Sequence, residues 1–151
     1  MKIIKDEKHL NKVCIKIDDY KTNKQIANKM IMFMLNNPNI NKNSVGLACN
    51  QIGLDGRVII VKINNKWKPF INPLVFEDWS SNSMEIEHQE SCLSIPKKQF
   101  SVKRNTHIKV IDDISTNKNP QYDAIKYNGF IAMVIQHEID HLNGILIKNK
   151  G

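Results

Sequence analysis

The chain has 151 residues, 41% apolar and 25% charged, close to the globular average; this excludes a disordered, collagen-like or coiled-coil chain and predicts one domain over 1–151. The formal charge of +7 would suit nucleic acid or an anionic membrane. Yet Arg57 and Arg104 are its only arginines, and its lysines are scattered among many Asn and Ile, as an AT-rich coding sequence produces, so no specific nucleic-acid surface is expected.

At the amino end, Asp6 and Glu7 arrive before any apolar run of signal-peptide length, and no stretch reaches the roughly 18 apolar residues that cross a bilayer. A cytoplasmic location follows, with no membrane partner. Cys14, Cys49 and Cys92 are three, widely spaced and without a CxxC pair, which argues against a disulfide framework or a zinc ribbon. Cys14, between Val13 and Ile15, reads as core. Thr22 and Gln25 have capping-box spacing, and Ile26, Met30, Phe33 and Met34 recur at helical intervals until Asn36-Asn37-Pro38. That predicts an amphipathic helix over 22–37 with the stripe that carries Met30 and Met34 in the core. β-Branched residues predict a strand over 58–63, Asn64-Asn65 a turn, and a further strand from Pro69 to Phe76. Residues 78–84 read as a loop. A second β region is predicted from about Ser94 through Val110 and Ile111 to Tyr122–Ile125. From Gly129, apolar residues Phe130, Ile131, Val134, Ile135 and Leu142 surround most of a helix, which predicts a buried one that Gly144 ends. The order gives an α+β fold: short antiparallel strands packed around a buried C-terminal helix, with an N-terminal helix.

The buried helix carries Gln136-His137-Glu138-Ile139-Asp140-His141, an HExxH pattern. One turn separates His137 from His141, so two imidazoles share a face and can bind one metal ion, while Glu138 lies beside it, within reach of an activated water. A catalytic metal site needs a third protein ligand. The ten residues after His141 contain no Asp, Glu, His or Cys, and Ile147 stands where an HExxHxxGxxH pattern would place a third histidine. The third ligand therefore comes from upstream. Cys92 in Glu90-Ser91-Cys92-Leu93-Ser94, at the entrance of the second β region, is the best candidate; Cys49 and His88 compete. Arg104 offers a planar fork that suits a buried clamp on Glu90 or Asp140.

Three segments together resemble the motifs of the peptide deformylases, GxGxAAxQ, EGCLS and QHExDH: Ser44 to Gln51, Glu90 to Ser94, and Gln136 to His141, in that order. Arg57-Val58 and Ile71-Asn72-Pro73 extend the resemblance over about 46–144. The chain departs from the pattern with Ser44 and Ser91 for glycine and Cys49 for alanine, none of them a ligand or base position. Many bacterial members continue past the third motif into another helix; this chain stops short, as a minimal or phage-encoded member would.

The resemblance implies removal of the formyl group from the N-terminal formylmethionine of newly made polypeptides, with release of formate. It implies that Cys92, His137 and His141 hold one divalent ion, Fe²⁺ by family habit, although such a donor set also accepts Zn²⁺, Ni²⁺ or Co²⁺. Glu138 would move the proton, and Gln51 and the Leu93 N–H would face the developing oxyanion. Val45, Gly46 and Ser91 would hold the peptide as an added strand, and Phe130, Met133 and Val134 would line the methionine pocket. The expected partners are N-formylmethionyl nascent peptides and, transiently, the ribosome, met by a monomer in the cytoplasm of a bacterium or of a phage-infected host. Two other readings stay open on the residues alone: a zinc endopeptidase of HExxH type, and a noncatalytic basic RNA-binding module with a structural metal.

Overall fold

A computed structural model describes residues 1–121 and 124–150. In chain order it contains α1 (Glu7–Leu10), α2 (Tyr20–Leu35), α3 (Pro38–Lys42), β1 (Gly46–Ala48), β2 (Val58–Ile63), β3 (Lys66–Ile71), β4 (Leu74–Glu77), β5 (Glu85–Cys92), β6 (Ile95–Asn105), β7 (His107–Ile111), α4 (Asp113–Lys118), β8 (Ile125–Asn128) and α5 (Gly129–Leu142). The strands form three antiparallel sheets, β1-β2-β3, β4-β7-β8 and the ribbon β5-β6. Helix α5 packs against β1, β2, β6, β7 and β8, so the α+β arrangement around a C-terminal helix is observed.

The N-terminal helix runs over Tyr20–Leu35 rather than 22–37, because Asp19 caps it: its carboxylate accepts from the Thr22 N–H and hydroxyl. Thr22 thus serves as the cap's partner. Ile26, Met30, Phe33 and Met34 are buried as their spacing requires, each such side chain contributing about 1.5–3 kcal/mol. The strand expected from Pro69 to Phe76 is two strands in different sheets. Asn72, at φ 49°, turns the chain between them. The second β region begins earlier than expected, at Glu85, and Cys92 ends its first strand instead of opening it. A short helix, α4, capped by Asp112, interrupts the region after β7. Tyr122, the expected start of the last strand, lies outside the described residues.

Cys14, expected in the core, is half-buried against it, while its neighbours Val13 and Ile15 are 65% and 82% exposed. Phe130 departs likewise: it is 58% exposed on an otherwise buried helix. Gly144 ends α5 at φ 73°, and a Cβ there would run into the carbonyl of Asn11. The amino-terminal segment is thereby seated on the helix end, with the Cys14 N–H donating to Leu142 O.

Candidate active site

Two elements bring the site together. On α5, the i, i+4 spacing puts His137 and His141 on one face, with their rings 4.9 Å apart at 67° and their Nε2 atoms 3.2 Å apart. On β5, alternation directs His88, Glu90 and Cys92 to one side, toward α5. The Cys92 Sγ lies 3.3 Å from His141 Nε2. All three residues are buried, and among the described residues theirs is the His/Cys/Asp/Glu cluster able to hold a metal ion.

The donor spacing fits such an ion. Tetrahedral bonds of about 2.05 Å to nitrogen and about 2.3 Å to sulfur set N···N near ~3.3 Å and S···N near ~3.6 Å. The observed separations are close to both.

Charge supports the same conclusion. Burial works against a cationic imidazole at His137, but the Glu138 carboxylate, the Cys92 sulfur and Glu90 overcome it and raise the pKa to about 10. The surroundings favour positive charge at that point. Burial, together with the charge of His137, pushes His141 down to about 3, so its ring is neutral and its Nε2 is available as a ligand.

Behind the donors stands an ordering network. His137 Nδ1 meets Glu90 Oε1 at 2.8 Å, which turns Nε2 toward the cluster. Burial opposes a charged Glu90, yet hydrogen bonds from Arg104 and His137 hold its pKa down at about 2. Arg104 donates through Nε and Nη2 to the two Glu90 oxygens at 2.9 and 2.8 Å, and through Nη1 to Asp140. The fork thus engages both carboxylates that the sequence offers, tying β5 to α5. Opposite, the Asn50 side chain donates to the His141 carbonyl at 2.9 Å.

Glu138 is 4% exposed, and its Oε1 has no hydrogen-bond partner among the described residues. Burial above all, with Glu90 and Asp140 adding to it against His137 and Arg104, raises its pKa to about 7. A carboxyl so poised can both accept and return a proton near neutrality. Gly46 makes this packing possible: a Cβ there would lie 2.5 Å from Glu138 Oε2 and 2.8 Å from Val134 Cγ1. Gln51 is held by the Ala48 N–H on its Oε1, at 2.9 Å, which aims its amide Nε2 at Ser94 Oγ, 3.2 Å away, and at Cys92 Sγ, 3.6 Å away.

The cluster opens into a cleft of about 310 Å³. Val45, Gly46, Gln51, Ser91, Leu93, Phe130, Met133, Val134 and Glu138 all line it, so every residue expected to touch substrate is brought to one place. β1 is an edge strand beside it. The two competing ligands are not in the cluster. Cys49 donates its thiol to Gly56 O at 3.1 Å, inside the core, and His88 sits further out along β5 against Phe130. Sequence reasoning missed Glu90 as the partner of His137 and Ser94 as a neighbour of Gln51; the alternation of β5, which puts residue 90 on the face of residue 92, was the available signal for the first.

A family model described as polypeptide deformylase matches residues 1–150. The peptide deformylase of Karelsulcia muelleri is 34% identical over 95% of this chain and 74% of its own length, and peptide deformylase 1 of Clostridium perfringens is 36% identical over 93% and 90%. Among solved structures, the Thermotoga maritima peptide deformylase superposes with a TM-score of 0.77 at 29% identity, covering 99% of this chain and 95% of that one. The enzyme of the Vibrio parahaemolyticus bacteriophage VP16T, solved with actinonin, gives 0.71 at 27% identity, over 97% and 100%.

Proposed function

The chain belongs to the peptide deformylase family, and from that premise we propose how its own residues remove the formyl group from the N-terminal formylmethionine of new polypeptides. The observation that carries the reading is the buried trio Cys92, His137 and His141, spaced for one ion and opening on a cleft beside Glu138. These three side chains hold a single divalent metal, Fe²⁺ in the working enzyme, with Zn²⁺, Ni²⁺ or Co²⁺ compatible with the same donors. When bound, the ion supplies Lewis acidity and acidifies water toward neutral pH.

The rest falls to the protein. Glu138 takes the proton of the attacking water and returns it to the amine released when the formyl C–N bond breaks. The Gln51 amide and the Leu93 N–H donate to the oxyanion that develops on the formyl oxygen; Gln51 is set in advance by its bond from Ala48. Val45 and Gly46, on the open edge of β1, and Ser91, on β5, hold the peptide backbone as an added strand. Phe130, Met133 and Val134 receive the methionine side chain. Arg104 and Glu90 position His137.

We assign the activity to one catalytic unit over 1–151, a monomer that meets nascent peptides at the ribosome in the cytoplasm, that of a bacterium or of a phage-infected host. Among the described residues no helix is long and apolar enough to cross a membrane.

The test is formate release from formyl-Met-Ala-Ser by anaerobically purified protein. Activity should vanish on chelation and return with Fe²⁺. Glu138→Gln should lower kcat about 10²- to 10⁴-fold with metal content unchanged. Cleavage of an internal bond in an N-blocked peptide, or RNA binding that survives Glu138→Gln in protein that releases no formate, would overturn the reading.

A further inference from the structure

Strand β6 does not follow β5 evenly. Ile95 pairs with Cys92 and Phe100 with Glu90, so the four residues Pro96 to Gln99 stand opposite Ser91 alone. The surplus is looped out as a bulge, a place that suits Pro96, which has no N–H to give to a ladder. Within the bulge Lys97 holds φ 64°. The other non-glycine residues at positive φ among those described are all asparagine, which takes up that conformation far more readily than lysine does.

Bulges re-aim side chains, and this one brings Lys97 to the cleft. Among the described residues that line the cleft, it is the sole lysine or arginine. Lys16, Lys109, Lys126, Lys148 and Lys150 pair with carboxylates of this chain, whereas Lys97 is exposed and has no such partner among the described residues. Glu90, the carboxylate beside the metal ligands, is already matched by Arg104. A backbone outlier that presents an unpaired cation to a substrate cleft points to a ligand of opposite charge.

We propose that Lys97 recognises an acidic side chain at the third residue of the formylated peptide and so gives the enzyme a preference among nascent chains. This rests on the reading in which the peptide lies as an added strand against Val45, Gly46 and Ser91. Side chains alternate along such a strand. With methionine directed into the cleft, the second side chain turns outward and the third turns back to the wall, about 7 Å further along. The bulge stands opposite Ser91, the residue that grips the peptide backbone, so a long side chain rooted there meets the third position rather than the first. An ion pair at an exposed rim is modest, about two- to five-fold in affinity, and salt screens it.

The experiment compares kcat/KM for the peptide amides formyl-Met-Ala-Glu-NH₂ and formyl-Met-Ala-Gln-NH₂, which differ only in charge and carry no terminal carboxylate. At low ionic strength the metal-loaded wild type should favour the glutamate peptide about two- to five-fold, through KM rather than kcat. At about 1 M NaCl the ratio should approach one. Lys97→Gln should bring it to one at low salt, and Lys97→Glu should take it below one. Lys98→Gln removes a neighbouring charge that does not line the cleft and should keep the wild-type ratio, which separates a local contact from the overall charge of +7. A ratio is independent of the active fraction, so partial misfolding of a variant does not blur it. A wild type without preference, a ratio unmoved by both Lys97 substitutions, or an equal loss in Lys98→Gln would overturn the inference and leave the activity standing. No formate from either peptide with wild type would sink the functional reading, and this inference with it.

Discussion

The two arginines both grip the last turns of α5, from different sides and against different partners. Arg104 is 2% exposed and reaches two carboxylates, Glu90 and Asp140. Arg57 is half-buried and reaches neutral oxygens: Cys14 O at 3.0 Å, Leu142 O at 2.8 Å and Asn143 Oδ1 at 2.7 Å. In the first case the fork neutralises buried anions and, through Glu90, sets the ring of a metal-binding histidine. In the second it caps carbonyls at the negative end of the helix and ties the amino-terminal segment to it. Apart from the histidines, every other basic residue in the chain is lysine. Lysine supplies the charge at either place but not the planar set of donors that bridges two or three acceptors at once. The difference separates an arginine tied to chemistry from one tied to assembly.

The strongest test of that separation is Arg104→Leu. It leaves Glu90 and Asp140 buried without their counter-charge, so unfolding in urea should show a loss of about 3–5 kcal/mol, equivalent to a Tm lower by about 6–20 °C. A loss no greater than that of a surface substitution would break the comparison. Arg104→Lys restores charge without the fork. Metal affinity, measured by competition with a chromophoric chelator, should fall about 10- to 100-fold as His137 loses its orientation, while the corresponding change at Arg57 leaves metal affinity unaltered.

Acidity sharpens the contrast further. Glu90 is held near 2 in the folded protein against 4.5 for a free glutamate. A depressed carboxyl contributes stability that is present above its unfolded pKa and lost as pH falls through the folded value. In metal-free protein the cost of Arg104→Leu should therefore be full at neutral pH and shrink below about pH 4.5. Carbonyls and amides do not titrate there, so the cost of an Arg57 substitution should stay flat over the same range. Urea unfolding across that range measures both; parallel curves would refute the assignment.

How much of this was legible beforehand follows from which forces act locally. HExxH could be read because the helical repeat fixes the relation of residues 137, 138 and 141 without help from elsewhere. Elimination places the third ligand only upstream, since no donor follows His141; the choice of Cys92 over Cys49 and His88 rests on its position at a strand end and on the family motif around it. The pairing of Glu90 with His137 spans 47 positions and depends on how β5 lies across α5, which no local pattern encodes. The same limit explains the fold errors. Pro69 to Phe76 is as apolar and aromatic as one strand would be, and Asn72, at positive φ and followed by Pro73, divides it. Most of β5 is exposed on the ribbon it shares with β6, so its first half carries no apolar signal. Helix α4 is short and polar, held by the Asp112 cap more than by a buried face. Cys49 and Cys92 are both buried thiols; only their neighbours, a carbonyl for one and imidazoles for the other, tell them apart.

The smallest expected effect lies at Arg57. Lysine there keeps one of the three contacts and the favourable charge at the helix end, so Arg57→Lys should cost about 1 kcal/mol. The consequence should be local. Cys14 donates its N–H to Leu142 O, and Gly144 packs against Asn11, so loosening the cap frees the amino-terminal segment before it disturbs the histidines. Hydrogen exchange at the Cys14 amide should accelerate several-fold, whereas kcat for formyl-Met-Ala-Ser should hold, because Asn50 and Glu90 still fix the backbone and rings of the metal-binding turn. A fall in kcat with unchanged Cys14 exchange would place Arg57 with Arg104, as a second residue that positions the metal ligands.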